Sequence, residues 1–176
     1  MIPLSFTKRR RALARPNGPK PGDILLFSHA KGLNRLVTWF SHSRYYHCSI
    51  YEGQGHSIEA RPEGVVRRDL MKDSGAVFRV IPMPESASEQ VVEYARGCLG
   101  KHYSVLDVFL IIWRQLFPRF RVPIVNDNSL ICSEMICLAW RRAGLDLFPG
   151  HDASTLLPTD FERFLPPDSR DETLSH

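Results

Sequence analysis

The chain has 176 residues, of which 43% are hydrophobic and 24% charged, with a formal charge of +4. That length suits one domain with a real core, and that composition is ordinary for a globular protein. Much of the charge excess lies in Lys8, Arg9, Arg10, Arg11 and Arg15. It therefore belongs to an arm, and with no aromatic residues interleaved it gives no base-stacking signal, so no nucleic-acid partner is expected.

Residues 1–20 read as a basic, proline-containing flexible arm without periodicity, and residues 21–166 as a single domain. Pro21-Gly22-Asp23 makes a turn into Ile24-Leu-Leu-Phe27, a continuous apolar run that fits a buried strand. Leu33, Leu36, Val37 and Phe40 recur at helical spacing, so Gly32 to Phe40 predicts a short helix, and Ser41 to Tyr46 a loop. His47-Cys-Ser-Ile-Tyr51 and His56-Ser-Ile-Glu-Ala60 flank Glu52-Gly-Gln-Gly55 and predict a β-hairpin. Pairing Ile50 with Ile58 puts Cys48, Ile50, Ile58 and Ala60 on one face, and a one-residue slip would scatter them. In this register His47 and Glu59 are diagonal neighbours on the other, polar face, ~7–8 Å apart and within side-chain reach.

Val65 to Leu70 predicts an extended piece and Val77-Phe-Arg-Val-Ile81 a strand. Ser86-Ala-Ser-Glu89 has the form of a capping box and starts a helix through Leu99, stopped by Gly100. Val105 to Phe117 predicts a buried apolar helix holding Asp107 and Arg114, too short for a membrane span of ~20 residues. Pro118 to Asn128 is a loop with a short strand at Arg121 to Val125. Ser129 to Gly144 reads as a helix, with Asn126, Asp127, Asn128 and Ser129 as candidate N-caps and Arg141, Arg142 and Gly144 as stop signals. A last helical turn or two falls at Pro158 to Phe164, and residues 167–176 read as a flexible tail.

The four cysteines, Cys48, Cys98, Cys132 and Cys137, show no disulfide-framework spacing and read as reduced thiols. A zinc site from His47, Cys48 and Cys132 is conceivable, but no C-x-x-C or H-x-x-x-H pair supports it, and neither metal nor cofactor is expected. Cys132 lies in the first turn of its helix, where unpaired N–H groups and the positive end of the dipole favour a thiolate. The commoner fate of a free cysteine is apolar burial, so Cys132 needs a partner to be a nucleophile. A cysteine nucleophile needs a base, and the base a third group that holds its tautomer. Cys132, His47 and Glu59 supply these three roles if the Cys132 helix packs against the polar-face end of the hairpin.

Taken together, Pro21-Gly22-Asp23-Ile-Leu-Leu-Phe27, Tyr46-His47-Cys-Ser-Ile-Tyr51, Ser57-Ile-Glu59-Ala60, Gly100-Lys-His-Tyr103 and Cys132-Ser133-Glu134-Met-Ile form a pattern. It resembles the circularly permuted branch of the NlpC-type papain-fold cysteine peptidases, the group of the YiiX/YaeF-like bacterial proteins, with lecithin–retinol acyltransferase a distant relative. The histidine precedes the cysteine helix, as in that branch. The resemblance runs from about Gly22 to Phe164. It implies an α+β permuted papain-like fold, a small antiparallel sheet packed on the nucleophile helix. It implies Cys132 as nucleophile, His47 as base and Glu59 as third residue, with Tyr103, Tyr46 and Ser133 lining the substrate cleft and Gly22-Asp23 structural.

The implied function is hydrolysis of a peptide-like amide, such as a cell-wall stem peptide, through a thioester. The alternatives are a lipid-directed acyltransferase or thioesterase, which an open apolar face on the Val105 to Phe117 helix would favour, and a non-catalytic binding module, marked by an unperturbed Cys132 thiol. The acyltransferase relatives carry a different cysteine motif. The expected partner is a small peptide-like or acyl substrate, with no stable membrane insertion; the oligomeric state is left open. Without a visible apolar signal segment the default location is the cytoplasm, although a phage or secretion-system route would leave no mark in these residues.

Overall fold

The computed structural model describes residues 18–28, 43–73, 76–102, 131–167 and 171. Five strands form one sheet: β1 (Ile24–Ser28), β2 (His47–Gly53), β3 (His56–Arg61), β4 (Gly64–Asp69) and β5 (Val77–Ile81). Their order is β4-β3-β2-β1-β5, and every neighbouring pair is antiparallel. Among the described residues two α-helices follow, α1 (Ser88–Gly97) and α2 (Cys132–Arg142), then 3-10 segments at Ala153–Thr155 and Pro158–Phe164. The architecture is α+β. The expected helices at Gly32 to Phe40 and Val105 to Phe117, the strand at Arg121 to Val125 and the N-caps at 126–129 lie outside the described residues, as does the bulk of the basic arm.

The hairpin register is the one that burial demands: Ile50 pairs with Ile58 and Tyr51 with Ser57, with an irregularity before Gly53. The turn is tighter than the Glu52 to Gly55 loop expected. Gln54 (φ 51°) and Gly55 (φ 76°) are its two central residues. Two positive φ values match the twist of the flanking strands, as in a type I′ turn. Gly22, at φ 88°, has a comparable reason, since a Cβ there would stand 3.1 Å from the Ser88 Cα. The buried Asp23 fastens this turn: its carboxylate accepts from the N–H of Lys20 (2.8 Å) and of Met83 (2.7 Å). These bonds reach back to Lys20, the last residue of the expected arm.

Both faces of the sheet are covered. On one, Cys48, Ile50, Ile58 and Ala60 pack with Val91 and Ala95 of α1 and with Met135, Ile136, Ala139 and Trp140 of α2. The continuous apolar run of β1 serves both layers, since Leu25 and Phe27 join Tyr51, Leu70, Phe78 and Val80 in a second cluster. The polar face of the hairpin is thus buried as well, with Ser49, Ser57 and Glu59 each fully enclosed. The expected position of α2 is corrected accordingly. Its apolar stripe lies on the apolar face of the hairpin, because a Met-Ile-Ala-Trp surface gains most from burial there.

The helix ends follow other chemistry than expected in two places. Ser86 does not cap α1; a 3-10 turn at Glu85–Ala87 leads in, and the Ser88 hydroxyl donates to the Pro21 carbonyl. α1 ends at Gly97, and Cys98 to Gly100 form the turn that follows. Ile131 is the N-cap of α2, extended at φ −92° and ψ 161°, and its N–H donates to Glu134 at 3.5 Å. At the other end Gly144 N donates to Arg141 O (2.9 Å) and Leu145 N to Trp140 O (2.9 Å), the paired bonds of a Schellman stop with Gly144 at φ 79°. Within the stretch read as a flexible tail, Asp171 is held by Arg44 (2.6 Å) and Arg79 (2.9 Å).

Candidate active site

His47 opens β2, and its ring packs between Phe27 (5.6 Å between centroids) and Tyr46 (6.3 Å, stacked). Its Nε2 meets Glu59 Oε2 at 3.0 Å. Cys132, the first residue of α2, acts on the same imidazole: its sulfur raises the His47 pKa, and His47 lowers that of Cys132. The imidazole is thus coupled to the thiol on one side of the site and bonded to the carboxylate on the other. Cys132 is 5% exposed, the His47 side chain 14% and that of Glu59 0%. α2 lies on one face of the sheet and Glu59 on the other; His47, at the start of its strand, connects them.

Glu59 is a buried charge with several partners. The Ser57 hydroxyl donates to Oε1 at 2.7 Å, Arg68 Nη1 lies 3.4 Å from each oxygen, and Arg61 Nη1 lies 3.5 Å from Oε2. Arg68 also sits over the Phe27 ring (5.6 Å) and pairs with Asp73. Burial alone would push the carboxyl up. The hydrogen bond and charge of His47, then Arg68 and Ser57, outweigh it and hold the pKa at about 2. Burial likewise disfavours the imidazolium, but the bonds to Cys132 and Glu59 prevail and raise His47 to about 9.

Cys132 is held well below the ordinary thiol value. The first cause is a hydrogen bond from the Cys48 thiol; burial opposes it, and the hydrogen bond and charge of His47 and the Cys48 backbone N–H add to it. Cys48 itself is pushed well up by burial and by the neighbouring sulfur. Cys48 carried no role in the sequence reading beyond the zinc alternative. The available signal was its place beside His47 on the face that receives the helix.

The cleft residues fare differently. Tyr46 is half-buried against His47, with its hydroxyl pKa raised by burial. Ser133, expected at the substrate, is instead fully buried, and its hydroxyl donates to the Leu156 carbonyl at 2.5 Å. It joins α2 to the segment behind it, because the second residue of the helix turns toward the core. Tyr103 lies outside the described residues, as does the apolar helix whose exposure would have tested the lipid-directed alternative.

No family model matches the chain. No curated protein matches it either. Among solved structures it is similar to the metalloprotein yiiX from Escherichia coli O157:H7, at 15% identity and a TM-score of 0.54, covering 90% of this chain and 99% of that one. The two share a fold. The neighbour is described as a metalloprotein. Among the described residues no three His, Cys, Asp or Glu side chains are grouped to hold an ion. Among the described residues no helix is long and apolar enough to cross a membrane.

Proposed function

We propose that the chain is a cysteine hydrolase of the permuted papain-like, NlpC-type kind, cleaving a peptide-like amide such as a cell-wall stem peptide through a thioester. The observation that carries this reading is the buried Glu59 3.0 Å from the His47 ring, together with the opposite pKa shifts that His47 and Cys132 impose on each other. The order of the motifs and the fold shared with yiiX support it.

In the resting pair the proton of the thiol sits on His47. The Cys132 sulfur attacks the carbonyl carbon, and the oxyanion accepts from N–H groups at the start of α2, that of Cys132 included. As the tetrahedral intermediate collapses, His47 gives its proton to the leaving amine, and a Cys132 thioester remains. His47 then takes a proton from water, whose oxygen attacks the thioester; the acid leaves and the thiol–imidazole pair is restored. Glu59, held anionic by Ser57 and Arg68, keeps Nε2 protonated and stabilises the imidazolium.

The test is the rate of Cys132 alkylation against pH, mapped by mass spectrometry, in the parent and in His47→Ala. Fast reaction well below pH ~8.5 that disappears without His47 is the expected result. Ordinary thiol titration in both proteins would leave a binding module as the better description.

A further inference from the structure

Asp73 is a carboxylate one side chain removed from Glu59, and the hydrolytic cycle gives it no part. The turn after β4 fixes its place. The Asp69 carboxylate accepts from the N–H of Met71 (3.0 Å) and of Lys72 (3.3 Å), which bends the chain at the end of the strand. The Asp73 carbonyl then accepts from the N–H of Ala76 (3.0 Å), at the approach to β5. Asp73 Oδ2 meets Arg68 Nη2, and the other terminal nitrogen of that guanidinium, Nη1, faces Glu59. Arg68 thus stands between two carboxylates. Its guanidinium lies over the Phe27 ring (5.6 Å), which also packs against His47 (5.6 Å between centroids).

The distances around Glu59 are unequal. His47 meets Oε2 at 3.0 Å and the Ser57 hydroxyl donates to Oε1 at 2.7 Å. Arg68 Nη1 stays 3.4 Å from each oxygen, about 0.5 Å longer than a closed charge-assisted bond of ~2.7–2.9 Å. A guanidinium closed on the carboxylate would take both oxygens, and Oε2 would be divided between Arg68 and His47. At 3.4 Å its charge still acts on the carboxylate while the short bond is left to His47. The second arginine facing Glu59 repeats the arrangement. Arg61 Nη1 is 3.5 Å from Oε2, and its Nε is drawn outward to Glu63 at 3.2 Å.

We infer that Asp73 is a positioning residue of the catalytic site: by holding Arg68 back from Glu59, it keeps Oε2 of that carboxylate for His47. This rests on the reading of Cys132, His47 and Glu59 as a hydrolytic triad. Charge alternates along Asp73, Arg68, Glu59 and the protonated His47. Without Asp73, Arg68 closes on Glu59, the imidazolium loses part of its anion, and the proton on His47 is held less tightly. Glu63 does the same for Arg61 with a smaller effect, because its side chain is 58% exposed and water screens it.

The experiment follows the His47 ring of the full chain by NMR with 13C-labelled histidine, the signal being assigned by its loss in His47→Gln. Asp73→Asn is expected to lower the His47 midpoint by about 0.5 pH unit or more, and to move the onset of Cys132 alkylation to higher pH. Asp73→Glu, which keeps the charge, should retain the parent midpoint. In an Arg68→Met background Asp73→Asn should change nothing further, since no guanidinium is left to release. An equal drop in that background would show Asp73 acting through space and would overturn the inference, as would an unchanged His47 midpoint in Asp73→Asn. If Arg68→Met does not fold, the two Asp73 variants decide: an equal drop in Asp73→Asn and Asp73→Glu overturns the inference. Cys132 alkylation in the parent separates the two claims. An ordinary thiol titration there removes the hydrolase reading and with it any catalytic part for Asp73. A low-pH thiolate beside a His47 midpoint that ignores Asp73→Asn removes the role of Asp73 alone.

Discussion

The first turn of α2 and its middle carry the same side chain in opposite electrostatic states. Cys132 and Cys137 are both buried thiols on one helix. Burial, weakly relieved by the charge of Arg141, pushes Cys137 up to about 12, whereas Cys132 is held well below the ordinary value. Burial penalises both thiolates. The difference lies in neighbours: Cys48 and His47 favour the thiolate of Cys132, and neither acts on Cys137. A thiolate in an interior thus depends on groups brought to it from other elements, here both from the start of β2.

The strongest way to break this contrast is to exchange the thiols. Cys132→Ser should remove essentially all hydrolysis, while Cys137→Ser should leave the rate within about twofold, measured on whichever amide substrate turns over. Next in size, Glu59→Gln should lower the rate by about 10²–10⁴-fold, because the imidazole loses the anion that fixes its protonation. The pH at which Cys132 alkylates should move upward with it, a shift that simple loss of folding would not produce.

Two pH dependences sharpen the comparison. Hydrolysis should decline as pH rises through about 9, where His47 loses the proton it must give to the leaving amine, and Cys132 alkylation should not decline there, since the thiolate persists. Stability follows the same two groups. His47, raised from 6.5 to about 9, contributes stability that is complete below 6.5 and is lost as pH rises through about 9. Glu59, lowered from 4.5 to about 2, contributes stability present above 4.5 and lost as pH falls toward about 2. Cys132, lowered well below 9.0, contributes in the opposite sense to His47 as pH rises and offsets the alkaline loss, so urea midpoints should fall chiefly on the acid side, where Glu59→Gln should flatten them.

The smallest effect is expected at Ser133. Ser133→Ala removes one buried hydroxyl bond to Leu156 and should cost about 1–3 kcal/mol by denaturant titration. The alkylation profile of Cys132 should keep its midpoint. A shifted midpoint would return Ser133 to the reacting centre, next to Cys132 in sequence but turned away from it in the fold.

Much of this was legible in the chain itself. The alternation of Cys48, Ile50, Ile58 and Ala60 specifies the hairpin register, because a one-residue slip would scatter the four over both faces, and that register sets His47 beside Glu59. Arg141, Arg142 and Gly144 mark the end of α2 because stop chemistry is local. Other features depend on residues distant in sequence. Ser49, Ser57 and Glu59 read only as a polar face, and the packing of Leu25, Phe27 and Phe78 in the same layer makes it a buried one in which a carboxylate needs Arg68 and Ser57. Ser86 reads as a cap, but the chain enters α1 through a 3-10 turn held by the Pro21 carbonyl. The meeting of Cys132 with His47 and Cys48 joins parts of the chain more than eighty residues apart. Local patterns determine which face of each element is apolar and where it stops; where two elements converge is decided by burying all those faces at once, and the low-pKa thiol exists only at that convergence.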